Sequence, residues 1–332
     1  NYLFDILLKN QIICQYETDL YSFRFSFWVY YFAAMRMTKS TDFAQFILQN
    51  ENYTHYPEIL EFYTGSDRTK NDAASIVLND IIEVIKKVNT KVGFDDKLNP
   101  FKRIKVNLSD EQVVKAINQL DENLKKSKLP NKIKDAIDDK NYNPTKPYHQ
   151  EVRKVWENYS VNYLHEFISI ASKTLRNSDY VDPELKEKLL TAITNAWYNI
   201  IKVVYLMSPV LAADGIAGYD GFSLTLSEPF DDTKGDLSRR LIQIIGCIPL
   251  NIIAWYKDDL YSSKLADLIY EKINTVGNQV IKHILIWLLI YEKPDKWELV
   301  LRKYLADLDN NSFFYLDTIE ALKMIYARGV MS

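Results

Sequence analysis

The sequence predicts an all-α protein, either a multi-helical bundle or an irregular α-solenoid, with a short β-hairpin near its N-terminus. Apolar residues recur at helical spacing along most of the 332 residues. Only nine glycines and ten prolines occur, which is few for a turn-rich sheet protein and normal for a mostly helical one. Strand-like alternation is confined to residues 11–27 and 222–226.

The first elements are a helix, a hairpin and a second helix. Asn1–Lys9 is typical of the end of an amphipathic helix, and Ile12–Tyr16 is a short β-like run. Aromatic residues then alternate from Tyr21 to Phe27, so Glu17–Leu20 is predicted to close a hairpin. Beyond this point the aromatic spacing becomes helical, at Trp28, Tyr31, Phe32 and Met35.

The remaining elements are all predicted to be helices, apart from a break at Gly215–Gly235 that holds the short strand 222–226. Apolar stripes and capping signals predict helices over Asn71–Val92, Pro147–Asn177, Asp182 to about Met207, Asp236–Tyr256 with a kink at Pro249, Ser263–Tyr291, Pro294–Asp307 and Phe313–Arg328. A capping box at Ser109–Gln112 predicts one more. We find no fixed internal period, so a repeat fold would rest on architecture alone.

Charge is distributed unevenly along the chain. The net charge is −3, yet Lys86–Lys134 contains thirteen Lys/Arg against six Asp/Glu. This segment has few aromatics to stack on bases, and the rest of the chain is acidic, so a solvated helical face is favoured over a nucleic-acid groove. We predict three regions, 1–37, 38–146 (with the basic segment) and 147–332.

Composition also bears on location. Two cysteines, Cys14 and Cys247, cannot build a disulfide framework, which favours a reducing compartment. The longest apolar run, Ile284–Tyr291, is far shorter than the ~20 residues that a membrane span needs. We therefore expect a cytoplasmic protein without a membrane partner.

The sequence nominates no catalytic, cofactor-binding or metal-binding residue. Gly215, Gly218 and Gly221 lack the strand, the helix and the Gly-Lys-Ser/Thr of a phosphate-binding loop, so an ordinary turn is favoured. The acids of this loop match no calcium-binding register. The histidines, His55, His149, His165 and His283, lack zinc-ligand spacing, and the last two are expected to be structural. Both cysteines are interpreted as buried filler.

One motif resembles a known family. Tyr21-x-Phe23-Arg24-Phe25, followed by Tyr30-Tyr31-Phe32-Ala33-Ala34, resembles the segment that closes the winged helix in STAND NTPases of the NACHT kind and opens their C-terminal helical region. Val29-Tyr30 stands where the commonest form of the motif has Gln-Glu. The predicted hairpin would then belong to a winged-helix remnant, with the nucleotide machinery upstream. An ordinary aromatic core helix after a hairpin fits the same residues.

The resemblance implies a non-catalytic regulatory or sensor region. Such a region binds a protein trigger, which can be a phage protein, works with an upstream NTPase module and permits oligomerisation on activation, mainly in bacterial anti-phage defence. No cofactor is expected in this chain. Two alternatives remain open: an independent all-helical scaffold that binds a protein or peptide, and an all-α enzyme.

Overall fold

A computed structural model of the chain describes residues 2–92, 99–101, 160–219, 222–226 and 237–330. Within these ranges the protein is predominantly helical, and its two sheets are two-stranded antiparallel hairpins. The predicted all-α class with a short N-terminal hairpin is therefore confirmed. The helices pack around one long central helix, so the arrangement is a multi-helical bundle.

The N-terminal part contains two strands and five helices. They are α1 (Tyr2–Lys9), β1 (Ile13–Glu17), β2 (Leu20–Phe23), α2 (Ser26–Met37), α3 (Thr41–Leu48), α4 (Pro57–Ser66) and α5 (Asn71–Val92), with a 3₁₀ segment at Gln49–His55. The bounds of α5 match the prediction. On one face of this helix Val77, Ile81 and Val88 are fully buried, and Ile85 is partly buried. Helices α3 and α4 had no predicted counterpart.

The second hairpin strand is shorter than the alternating aromatics predict. It ends at Phe23, and Phe25 already precedes the first turn of α2. Its partner strand explains the difference, because Gln11, just before β1, takes the left-handed conformation (φ 57°) and turns the chain away. The last backbone bond of the ladder runs from Arg24 N–H to the Ile12 carbonyl, 2.9 Å, so later residues have no strand to pair with.

Two long helices follow, α6 (Val161–Asn177) and α7 (Pro183–Asp214). The prediction of one helix from Pro147 to Asn177 is wrong at Ser160, which is extended and caps α6 by accepting the Tyr163 N–H at 3.0 Å. Helix α7 starts where Asp182 and Pro183 predict it to start, with the Asp182 carboxylate accepting two backbone N–H groups.

Helix α7 runs past Pro209, where the prediction ended it. Proline has no N–H to give to the carbonyl four residues back, which is that of Tyr205. The Ser208 hydroxyl donates to this carbonyl instead, at 2.6 Å, and so replaces the missing bond. The helix ends at Gly215, whose left-handed φ of 72° suits glycine. The hairpin β3 (Ile216–Tyr219) and β4 (Phe222–Thr225) follows; β4 was predicted and β3 was not.

The C-terminal part contains six helices: α8 (Leu237–Gly246), α9 (Ile248–Leu260), α10 (Ala266–Thr275), α11 (Gln279–Glu292), α12 (Trp297–Ala306) and α13 (Phe313–Val330). The kink expected at Pro249 is a break at Cys247, with the proline in the first turn of α9. The single helix predicted over Ser263–Tyr291 is wrong. It is split into a 3₁₀ turn, α10 and α11, because Asn278 leaves the helical conformation and caps α11 with its side chain.

The core lies where α5, α6, α7, α9 and α11 meet, and it continues from Tyr30 to Ala321. Trp197 and Trp287 are among its largest side chains. Several predictions lie outside the described residues: the Ser109–Gln112 capping box, most of the basic segment Lys86–Lys134, the part of the predicted helix before Ser160, and the boundary after residue 146. The three-region division remains a prediction. Each described helix is too short or too polar to cross a membrane.

Candidate interaction surface

The hairpin and α2 bring the motif residues together at one end of the molecule. Residues Ile13, Cys14 and Gln15 of β1 pair with Phe23, Ser22 and Tyr21 of β2. Asp19 occupies the left-handed region (φ 63°), which allows the tight connection between the strands. Helix α2 then leaves the hairpin within two residues of β2.

Helix α2 has two apolar faces, and the more aromatic one points outward. Tyr30, Ala34 and Met37, spaced four and three residues apart, are buried and pack the helix toward α4 and α3. Tyr31 and Phe32 lie on the other face and are 37% and 39% exposed. The helical spacing predicted for the aromatics is confirmed, but their stripe is not the core-facing one.

The outward rings of the hairpin and of α2 form one continuous patch. Phe25 and Phe27 stack with centroids 5.7 Å apart, and Trp28 lies 5.9 Å from Phe32. Phe32 also contacts Phe23 of β2 at 5.7 Å. We call the following residues the aromatic surface: Tyr21, Phe23, Phe25, Phe27, Trp28, Tyr31 and Phe32.

The aromatic surface is large for an uncovered patch. Five of its rings are 37–46% exposed. Since a full aromatic side chain presents about 150–250 Å², these rings leave on the order of 400 Å² of apolar area in water. Patches beyond a few hundred Å² are typical of interaction sites.

Helix α1 extends this patch with further apolar side chains. None of its residues is buried, and Tyr2 and Leu3 are 83% and 64% exposed. It contacts the hairpin through Phe4, whose ring meets Tyr21 edge-on at 4.7 Å. Helix α1 is thus an apolar helix resting on the hairpin with most of its surface in solvent.

Arg24, the basic residue of the motif, lies at the edge of the aromatic surface. Its guanidinium is 5.5 Å from the centre of the Phe25 ring and donates to the Gln11 side chain. The last motif residues have a packing role, since Ala34 is fully buried and Ala33 packs partly buried against the core.

The histidines and cysteines have other surroundings. His165 lies in the core wall with Nδ1 2.5 Å from the Tyr256 hydroxyl, and burial lowers its pKa although Asp259 opposes the shift. His283 is fully buried and bonded on both ring nitrogens, in agreement with a structural role. Cys14 and Cys247 are free thiols of partly buried residues, and burial, aided by Asp317, raises the pKa of Cys247 to about 11.

The glycine loop is only partly described. Gly215 terminates α7 in the left-handed conformation, whereas Gly218 lies in β3 and pairs with Ser223 of β4. Gly221 and His149 lie outside the described residues. Among the described side chains, no three His, Cys, Asp or Glu groups converge to hold a metal ion.

Sequence reasoning missed two polar clusters that tertiary packing assembles. One joins His283, Trp287 and Tyr304 to Asp317, and the other joins Arg68 and Lys264 to Asp179. His283 and Trp287 stand four residues apart on one helix face, a spacing that could have suggested a shared partner. No signal of this kind links Arg68 to Asp179, which is 111 positions away.

Comparisons with protein-family models, with curated proteins and with solved structures found no match to this chain.

Proposed function

We propose that this chain is a non-catalytic regulatory and sensor region of a STAND-type NTPase, acting in bacterial anti-phage defence in the cytoplasm. It would bind a protein trigger and control oligomerisation of the parent protein. The motif Tyr21–Ala34 supports this proposal. The order of elements around the motif, which is α1, a two-stranded hairpin and the aromatic helix α2, also supports it.

The outward aromatic surface carries this proposal. An isolated regulatory bundle gains nothing from holding rings such as Phe25 and Phe27 in water, because burial of apolar surface is the main stabilising force in folding and association. A neighbouring folded module that covers α1 and the aromatic surface would remove this cost. The upstream NTPase module is the neighbour that the resemblance supplies.

The helical body is the proposed sensing part. Helices α6 to α13 follow the hairpin in the chain, in the part that the family uses for recognition. Outside Lys86–Lys134 the chain is acidic, which opposes binding to a phosphate backbone and favours a protein trigger.

The coding sequence that precedes Asn1 gives the first test. A Gly-Lys-Ser/Thr phosphate-binding loop some hundreds of residues upstream would support the proposal. An upstream region without any nucleotide-binding motif would overturn it in favour of the independent scaffold.

The second test uses the whole parent protein. We expect the double substitution Tyr31→Lys, Phe32→Lys to alter its resting ATP hydrolysis and its oligomer distribution without any trigger. Leu299→Lys on α12, which replaces a 64% exposed leucine far along the chain, is the matched control and should behave as wild type. If the double variant also behaves as wild type, the aromatic surface does not dock on the NTPase module.

The nature of the trigger is tested with lysate from phage-infected cells. Lysate that induces oligomerisation should lose this effect after protease treatment and keep it after nuclease treatment. The opposite pattern would move recognition to nucleic acid.

A further inference from the structure

Three distant parts of the chain meet at a polar cleft of about 350 Å³. The loop between α4 and α5 contributes one side, the end of α6 and the loop after it contribute the second, and the linker between α9 and α10 contributes the third. We call this the cationic cleft, and its polar side chains are Arg68, Arg176, Asn177, Asp179, Ser262 and Lys264.

Positive charge exceeds negative charge in the cleft. Arg68, Arg176 and Lys264 face a single carboxylate, Asp179, among the lining residues. The Asp179 side chain is only 7% exposed and accepts hydrogen bonds from both Arg68 and Lys264. Burial opposes its ionisation, but these bonds outweigh burial and lower the pKa of Asp179. The carboxylate therefore stays charged at neutral pH and offsets one of the three cations.

Arg176, the third cation, is held by groups that lie outside the cleft. Arg176 donates to the Glu61 carboxylate at 2.9 Å and to the Asp258 carbonyl at 2.6 Å. Glu61 also accepts from Lys173 at 3.2 Å, so its charge is shared between two cations. Lys173 also lies 3.9 Å from Asp259, so the two cations face two carboxylates, and Arg176 is fixed in position without adding net charge.

The cations keep donor groups for a ligand. The side chains of Arg68 and Lys264 are 48% and 53% exposed, and each donates to Asp179. A guanidinium has five N–H donors and an ammonium has three, so several remain beside the cleft. Such paired cations with fixed geometry favour phosphate oxygens.

The cleft is also preorganised by its backbone. Tyr180 N–H donates to the Arg68 carbonyl at 3.1 Å, and Asp182 N–H donates to the Asn71 side chain at 3.1 Å. These bonds tie the α4–α5 loop to the α6–α7 loop. A ligand would therefore meet Arg68 and Asp179 already in place, which lowers the entropic cost of binding.

We propose that the cationic cleft binds the phosphate group of a small molecule. The ligand bridges Arg68 on the N-terminal side to Lys264 on the C-terminal side, with Asp179 holding the two cations in position. This site is separate from the aromatic surface and does not depend on the proposed function.

The test measures binding of inorganic phosphate, pyrophosphate and a phosphate monoester to the full chain, at constant ionic strength maintained with chloride. Phosphorus NMR line broadening and the melting temperature are the readouts. We expect binding to all three probes, with the monoester tightest if the ligand is an ester and inorganic phosphate tightest if it is the free ion. Absence of binding beyond that of chloride would overturn the proposal.

Substitutions separate a ligand site from a structural ion pair. Lys264→Gln leaves Asp179 paired with Arg68 and should weaken phosphate binding about tenfold, the loss of one charge-assisted hydrogen bond. Asp179→Asn removes the charge of the only carboxylate among the lining residues but keeps an amide oxygen that can accept from Arg68 and Lys264, so it should tighten phosphate binding. Lys188→Gln, which removes an equal charge from the exposed pair with Glu184, is the control and should leave binding unchanged.

Two further outcomes contradict the proposal. Equal weakening by Lys188→Gln and Lys264→Gln would reduce the effect to general attraction by the protein surface. Phosphate binding by a folded Asp179→Asn variant that is no tighter than that of wild type would show that phosphate does not contact the cations that Asp179 holds. If Asp179→Asn does not fold, the Lys264→Gln comparison alone decides.

Discussion

Asp317 anchors a buried hydrogen-bond network between three C-terminal helices, and its removal should be severely destabilising. One carboxylate oxygen, Oδ2, accepts from His283 Nε2 at 2.7 Å and from Trp287 Nε1 at 2.6 Å. With its Nε2 donating, His283 accepts the Tyr304 hydroxyl at Nδ1, 3.0 Å away. The side chains of His283, Trp287 and Tyr304 are at most 2% exposed.

The size of the destabilisation follows from the number of N–H donors that Asp317→Ala would leave without an acceptor. Two buried N–H groups, on His283 and Trp287, would lose their acceptor. Since an unsatisfied buried group costs about 1–3 kcal/mol, we expect a loss of about 2–6 kcal/mol in the free energy of unfolding. Asp317→Asn is the matched variant, because its amide oxygen can occupy the Oδ2 position and accept both bonds. Only the charge is lost, so the cost should be about 1–2 kcal/mol.

Urea denaturation, followed by far-ultraviolet circular dichroism and tryptophan fluorescence, measures both variants against wild type. The expected order of stability is wild type, then Asp317→Asn, then Asp317→Ala. A loss below about 1 kcal/mol for Asp317→Ala would refute the reasoning, since it would mean that water reaches the stranded groups. Equal losses for the two variants would show that charge, and not hydrogen-bond acceptance, stabilises the network.

Three other predictions concern α2, α5 and nucleotide binding. Tyr30→Ala removes a ring that is 7% exposed and should lower the free energy of unfolding by about 3–5 kcal/mol. Phe32→Ala removes a ring that is 39% exposed and should lower it by about half as much or less. Thermal denaturation measures both, and equal losses would contradict the outward orientation of the aromatic face. Burial raises the pKa of Asp80, although Tyr53 donates to it, so the free energy of unfolding should fall as pH rises from about 4 through the raised pKa. Asp80→Asn should reduce this fall, and the remainder comes in part from Glu292, whose pKa burial also raises. Calorimetric titration of the chain with Mg-ATP should give no binding heat, and micromolar affinity would refute the non-catalytic assignment.

Elements with strong local signals were predictable. Helix α5 carries a clean apolar stripe, and the Asp182-Pro183 pair fixes the start of α7 through side-chain capping. Breaks inside apolar runs were not predictable, because the stripe continues through the α10–α11 junction while Asn278 caps a new helix. The run of α7 through Pro209 depends on one hydroxyl, that of Ser208, which a proline rule does not consider.

The candidate surface was only half predictable. Spacing placed Tyr31 and Phe32 on one helix face, but periodicity does not say which of two apolar faces meets the core. In α2 the face with Tyr30, Ala34 and Met37 meets the neighbouring helices, where the small Ala34 allows close approach, and Tyr31 and Phe32 are left outside. The cationic cleft was beyond sequence reasoning, because Arg68 and Asp179 are 111 positions apart and meet only after the bundle has formed.

Helix α7 gives the molecule a mechanical axis. Its 32 residues form a rod of about 48 Å. This rod contacts α5 and α6, which precede it in the chain, and α8, α9 and α11, which follow it. A force applied to the helices that precede α7 is therefore transmitted to the helices that follow it through one stiff element. Bending is least costly near Pro209, where one main-chain bond is replaced by the Ser208 hydroxyl, so strain would concentrate beside the β3–β4 hairpin.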